Sequence, residues 1–151
     1  MTRYLLDTNI ISEVTKPRPS ERLVAWLAER LDEELFISSL TIAEIRRGIL
    51  WKPVGKKRDQ LELWFSGPDG PSARFAGRIL SFDEKSALVW ARLMTEGAAR
   101  GRARSALDMI IAAVAEANAC LIVTGNERDF EGLDLVNPLA RRLPSRRRPP
   151  I

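Results

Sequence analysis

The sequence predicts an α/β domain with a central, mostly parallel sheet flanked by helices. Short strand-like apolar runs alternate along it with longer helical patterns. The chain has 151 residues, 45% of them hydrophobic, enough to bury one sizeable core, and no internal repeat divides it. Residues 1–138 are expected to form that domain and residues 139–151 a Pro- and Arg-rich tail.

The first strand is expected at residues 4–6, within the stretch YLLDTNIIS. It stops at Asp7, a carboxylate at the mouth of a core strand, and apolar residues resume at Ile10 and Ile11. A helix follows at 21–30, a strand at 35–38, and helices at 42–50 and 57–65. The stretch Gly67-Pro68-Asp69-Gly70-Pro71 is rich in turn formers and reads as a loop. A strand at 79–82 leads into a helix at 84–97, with Asp83 as its cap. The helix at 107–119 is apolar almost all round, which places it against the sheet. Asp108 then sits in the first turn of a buried helix, where an unpaired charge is costly. Strands at 121–124 and 133–136 complete the sheet, and Pro138 ends regular structure.

Composition narrows the chemistry. With no histidine, the chain has no Ser-His or Cys-His nucleophile pair, no imidazole acid-base group and no ordinary His/Cys zinc site. Catalysis here would rest on carboxylates, which favour hard cations such as Mg²⁺ or Mn²⁺. The single cysteine, Cys120, lies in an apolar run and reads as core filler; it allows no intrachain disulfide and suits a reducing compartment. Neither a signal pattern nor a membrane-length apolar stretch is present, so a soluble cytoplasmic protein with no membrane partner is expected. The net charge of +4 is unevenly placed: Arg141, Arg142, Arg146, Arg147 and Arg148 all follow Pro138 with no acid among them, leaving the body close to neutral. Two further basic stretches are Arg46, Arg47, Lys52, Lys56, Lys57 and Arg58, and Arg100, Arg102 and Arg104.

Four acids stand where strands end or helices begin. Asp7 closes the first strand, and Asp129 follows the turn Thr124-Gly125-Asn126; in an open parallel sheet both segments point to the ligand-binding edge. Glu44 and Asp108 lie near the starts of helices expected to begin at that edge. Helix capping is the competing account, because Thr41-x-x-Glu44, Ser105-x-x-Asp108 and Asn126-x-x-Asp129 all resemble cap pairs, and Asp7 suits an Asx turn. If the acids meet, they need a cation: two carboxylates about 4 Å apart repel by roughly 4 kcal/mol at an effective dielectric of about 20. Without one, at least one acid holds its proton with a raised pKa.

The segments LLDTNIIS, TIAEIRRGI, RFAGRILSFDE and IVTGNERDFEGLDLVNP together resemble the PIN-domain ribonucleases, specifically the VapC-like toxins of type II toxin-antitoxin pairs in the FitB-type branch. The likeness runs up to Pro138. It implies a Mg²⁺-dependent hydrolase acting on RNA phosphodiester bonds. Asp7, Glu44, Asp108 and Asp129 match the family's acidic metal site, with Asp7 and Asp108 the principal ligands, and Asn9, Thr124 and Asn126 match its supporting polar residues. The resemblance also implies a homodimer and a VapB-like antitoxin whose C-terminal segment blocks the acidic site. The helices at 21–30 and 42–50 are candidate contact surfaces, with Trp26, Trp51 and Trp64 as candidate anchors. Departures are Gly125, where the family often has Arg, the Pro-free stretch 102–107, and a longer SGPDGPS loop. Two rival readings are phosphoryl transfer onto Asp7, as in a receiver-like domain, and a silent binding module whose acids only cap helices.

Overall fold

The computed structural model of the chain describes residues 1–140; the basic part of the expected tail lies outside them. Five strands, β1 (Arg3–Leu6), β2 (Leu35–Ser38), β3 (Ile79–Leu80), β4 (Cys120–Val123) and β5 (Leu135–Val136), form one sheet in the order β3-β2-β1-β4-β5. Every pairing is parallel, with Leu5 opposite both Phe36 and Ile122. The chain lays down β1, β2 and β3 to one side, then crosses back to add β4 and β5 on the other. The order therefore reverses between β1 and β4, and the carboxyl ends of those two strands border the crevice that such a switch point opens.

Seven helices cover the sheet: α1 (Thr8–Val14), α2 (Glu21–Ala28), α3 (Ser39–Leu50), α4 (Lys56–Ser66), α5 (Pro71–Arg74), α6 (Glu84–Ala99) and α7 (Ala106–Ala117). Alternation along the strands splits the core in two. Leu5 and Ile122 face one layer with Met109, Ile111 and Val114 of α7 and Leu93 of α6. Leu6 and Val123 face the other, with Ile10 and Ile11 of α1, Leu23 of α2 and Ile37. As expected, α7 lies against the sheet, and Cys120, half-buried, packs on the first layer.

Several elements differ from expectation. Residues 8–14, unassigned from sequence, are helical, because Asp7 caps the turn and both Ile10 and Ile11 gain full burial in the second layer. Helix α3 starts at Ser39 and is capped by Ser38, whose hydroxyl accepts from the Thr41 N–H at 3.1 Å. Thr41 and Glu44 are thus not a capping pair, and Glu44 projects from the second turn. The turn-rich loop contains the short α5, opened by Pro71 at its first position, where a missing N–H costs nothing. Among the described residues no helix is long and apolar enough to cross a membrane.

Candidate active site

Two elements fix Asp7. Its backbone N–H prolongs the β1–β4 ladder, donating to the Val123 carbonyl at 2.9 Å, and one carboxylate oxygen accepts from the Thr8 N–H at 2.8 Å to cap α1. The other oxygen accepts from Thr124 Oγ1 at 2.9 Å and Asn9 Nδ2 at 3.1 Å. Asp7 is 5% exposed, and burial pushes its carboxyl up to about 6 against the pull of these hydrogen bonds, with the charges of Asp108 and Glu44 adding to the rise.

Thr124 is wholly buried and serves four neighbours, among them Asn9, whose Nδ2 donates to its hydroxyl at 3.3 Å. Its N–H donates to the Val136 carbonyl at 3.0 Å, tying down β5, and its hydroxyl donates to Asp7 while accepting from the Asn126 N–H at 3.0 Å. Asn9 joins α1 to the same turn, since its Oδ1 accepts from the Gly125 N–H at 3.2 Å. Asn126 Nδ2 in turn donates to Asp129 at 2.6 Å.

Glu44 is oriented by a chain of hydroxyls. Its carboxylate accepts from Thr8 Oγ1 at 2.8 Å; Thr8 lies 3.1 Å from Thr41 Oγ1, and Ser38 Oγ donates to Thr41 at 3.3 Å. Because a carboxylate only accepts, the chain runs from Ser38 through Thr41 and Thr8 to Glu44. Asp108 occupies the first turn of α7, its N–H donating to the capping Ser105 hydroxyl at 3.3 Å. Burial first, then the charge of Asp129, hold its carboxyl above the usual range.

Asp7, Glu44 and Asp108 line one open cleft of about 570 Å³ at the switch point, together with Asn9, Asn126 and Leu139. Asp129 lines the adjoining depression instead and is exposed, coupled to Asp108 through charge. Capping and convergence both hold: Asp7 and the Ser105–Asp108 pair do local work, yet the carboxylates still share an edge. The cleft also takes in Thr8, Ser12, Glu13 and Lys16, none of them singled out in the sequence. The spacing of Thr8 and Ser12 marks one face of α1 and would have disclosed them had that helix been assigned, and Lys16 follows just past its end. Lys16 is engaged by Glu13 at 2.6 Å, so it leaves the three acids uncompensated.

The donors around the cleft are carboxylate, hydroxyl and amide oxygens with no sulfur or imidazole, a set suited to a hard divalent cation. Among the described residues no three acids stand close enough to enclose an ion as they are arranged here. The fit therefore lies in charge and donor type. Gly125 borders the cleft because Leu139 occupies its side: a Cβ there would meet Leu139 Cδ1 at 2.7 Å. The basic residues from Arg46 to Arg58 lie elsewhere, with Arg46 and Arg58 both turned to Glu62. Of the tryptophans, Trp26 stacks edge-on against Tyr4 at 5.1 Å, Trp64 lines a groove between α2 and α4, and Trp51 is 78% exposed.

Comparison with known proteins agrees with this geometry. The family model described as PIN domain matches residues 4–135. The chain is 36% identical over 136 residues to the VapC ribonuclease Y4jK of Sinorhizobium fredii, spanning 89% of this chain and 96% of that protein. It is 37% identical over 131 residues to Toxin FitB of Neisseria gonorrhoeae, spanning 87% and 93%. The structure of FitAB bound to an IR36 DNA fragment superposes with a TM-score of 0.83 at 34% identity, covering 93% of this chain and 98% of that one. The chain belongs to the PIN-domain family, in the branch of the VapC- and FitB-type toxin ribonucleases.

Proposed function

We propose that this chain cuts RNA phosphodiester bonds at the switch-point cleft, with Mg²⁺ or Mn²⁺ held by Asp7 and Asp108 as principal ligands and by Glu44 and Asp129. The observation that carries the proposal is Asp7. A carboxylate buried to 5% exposure, fixed by three donors and raised to about 6 beside two further acids is costly for the fold and well suited to a cation. A bound divalent ion supplies positive charge against phosphoryl oxygens and makes water more acidic. The protein's own part is positional. Thr124 and Asn9 keep one Asp7 oxygen in place, Thr8 aims Glu44, and Asn126 holds Asp129 beside Asp108.

Replacing Asp7 or Asp108 with Asn is expected to abolish Mg²⁺-dependent cleavage of a single-stranded RNA while the circular dichroism spectrum stays native. Cleavage retained by both variants would remove this cleft from the reaction. Phosphoryl transfer onto Asp7 is the weaker reading, since the acids facing it would repel an incoming phosphoryl group.

A VapB-like antitoxin is the partner this reading calls for, and the FitAB–DNA likeness supports a two-protein complex. The apolar groove of about 840 Å³ between α1, α2, α4 and α5, lined by Ile10, Val14, Leu27, Leu61, Trp64 and Phe75, suits an amphipathic segment of such a partner. It lies across α1 from the acidic cleft, so one partner chain is able to reach both. A homodimer completes the proposal, and sedimentation of the isolated chain by analytical ultracentrifugation tests it, with a monomer at all concentrations as the contrary result.

A further inference from the structure

The depression that adjoins the acidic cleft, about 370 Å³, is lined by Arg100, Arg102, Arg104 and Arg128 together with Ser105, Asp129 and Glu131. It carries both signs of charge: Asp129, which acts on Asp108 through its charge, and Glu131 line it alongside the arginines. Arg104 is structural: its Nη1 donates to the Leu93 carbonyl at 2.7 Å, and its stem lies where a Cβ on Gly97 would come within 2.7 Å of its Cδ. Arg102 is paired with Glu131. Among the described residues neither Arg100 nor Arg128 has an ion-pair or side-chain hydrogen-bond partner. The guanidinium groups of Arg100 and Arg104 both approach Gly132, where a Cβ would lie in ordinary contact, 3.5 Å from Arg100 Nη1 and 3.7 Å from Arg104 Nη2.

Arg100 and Arg128, exposed in a concave wall beside the cleft of carboxylates, offer an anion a site next to the acids. Guanidinium forks match phosphate geometry. A polynucleotide supplies repeated phosphates, so that one enters the arginine wall while another meets the acids and their cation. We infer that this pocket is a backbone-phosphate subsite, in which Arg100 and Arg128 hold the RNA strand away from the bond being cut and set its path past Asp129. They are positioning residues and touch no reacting atom. The inference rests on the nuclease reading, and it adds the part of the substrate that the acids themselves are unable to hold.

The test uses the full chain carrying Arg100→Ala and Arg128→Ala together, with a labelled 12-nucleotide single-stranded RNA and a dinucleotide as probes. Binding of the 12-mer is measured in the Asp7→Asn background, and cleavage of both probes in the wild-type background with Mg²⁺. The double variant is expected to bind the 12-mer about 10-fold more weakly at low salt, and the slope of log K against log salt to drop by about 1.4, since each phosphate contact to a single strand contributes about 0.7. KM for the 12-mer rises with kcat retained, the dinucleotide, too short to span both sites, is cleaved as before, and Lys at both positions restores most of the slope. Unchanged 12-mer binding and salt slope overturn the inference and leave the nuclease reading standing. Loss of antitoxin inhibition with RNA binding intact also overturns it, by assigning the pocket to a protein. Arginine-dependent binding without any Mg²⁺-dependent cleavage by the wild-type chain sinks the nuclease reading and keeps the subsite.

Discussion

Asp7 is held in place by the fold and, without a cation, is a burden on it. Its carboxyl titrates near about 6 rather than the ordinary 3.8, so between those values the folded chain keeps a proton that the unfolded chain has released. Raising the pH through that window removes stability, by up to about 3 kcal/mol, and none is regained above it. In the presence of chelator, Asp7→Asn is therefore expected to melt above the wild type at pH 7. The gap between the two melting temperatures should narrow as the pH falls from 6 to 4, as followed by thermal melts across that range. Thr124 works in the opposite direction, since its hydroxyl favours the charged form. Identical pH profiles for the two proteins would mean that Asp7 is not the group the fold strains against.

At the scale of elements, the helix starts position the site. Ser38 ends β2, caps α3 and begins the hydroxyl chain that reaches Glu44 through Thr41 and Thr8, so one residue joins a strand end, a helix cap and a site carboxylate. Ser38→Ala should cost about 1 kcal/mol for the cap, seen as a melting temperature lowered by about 3 °C. It should also reduce RNA cleavage without abolishing it, because Glu44 keeps its place on α3 and loses only its fixed orientation. The turn after β4 shows a second coupling. Gly125 gives its side-chain space to Leu139, so Gly125→Ala forces the leucine aside, whereas Gly125→Ala with Leu139→Ala does not. A double-mutant cycle on chemical denaturation is expected to give a coupling of about 1 kcal/mol between the two positions. Strict additivity would separate Leu139 from the cleft.

Across the whole molecule, the parallel sheet gathers residues distant in sequence onto one edge and leaves their repulsion unresolved. A cation that binds only the folded chain resolves it and stabilises that state by about 2.7 kcal/mol at 100 times its dissociation constant. Titrating Mg²⁺ should thus raise the melting temperature of the wild type in a saturable way and leave Asp108→Asn nearly flat, as read by differential scanning fluorimetry. A flat wild-type response in the millimolar range would favour the silent-module reading. The groove across α1 and the arginine-lined depression beside Asp129 lie on either side of the same acids, so the partner and the substrate proposed above would meet at that edge.

Much of this was legible in the sequence, because the signals are local. Apolar runs separated by helical periods gave the α/β class, the all-round apolar pattern at 107–119 put α7 inside, and the four motif segments carried the family. Helix α1 was hidden because Asp-Thr-Asn followed by two isoleucines has weak helix propensity, and only burial of Ile10 and Ile11 against the sheet makes the helix the better state. With it went Thr8 and Ser12, which enter the cleft on its face. The chain by itself determined which residue types stand at strand ends and helix starts, since turn and capping chemistry act over three or four residues. Tertiary structure alone decided that Asp7, Glu44 and Asp108 share one cleft while Asp129 stands beside it with the arginines, because those distances follow from the order in which five strands pack side by side.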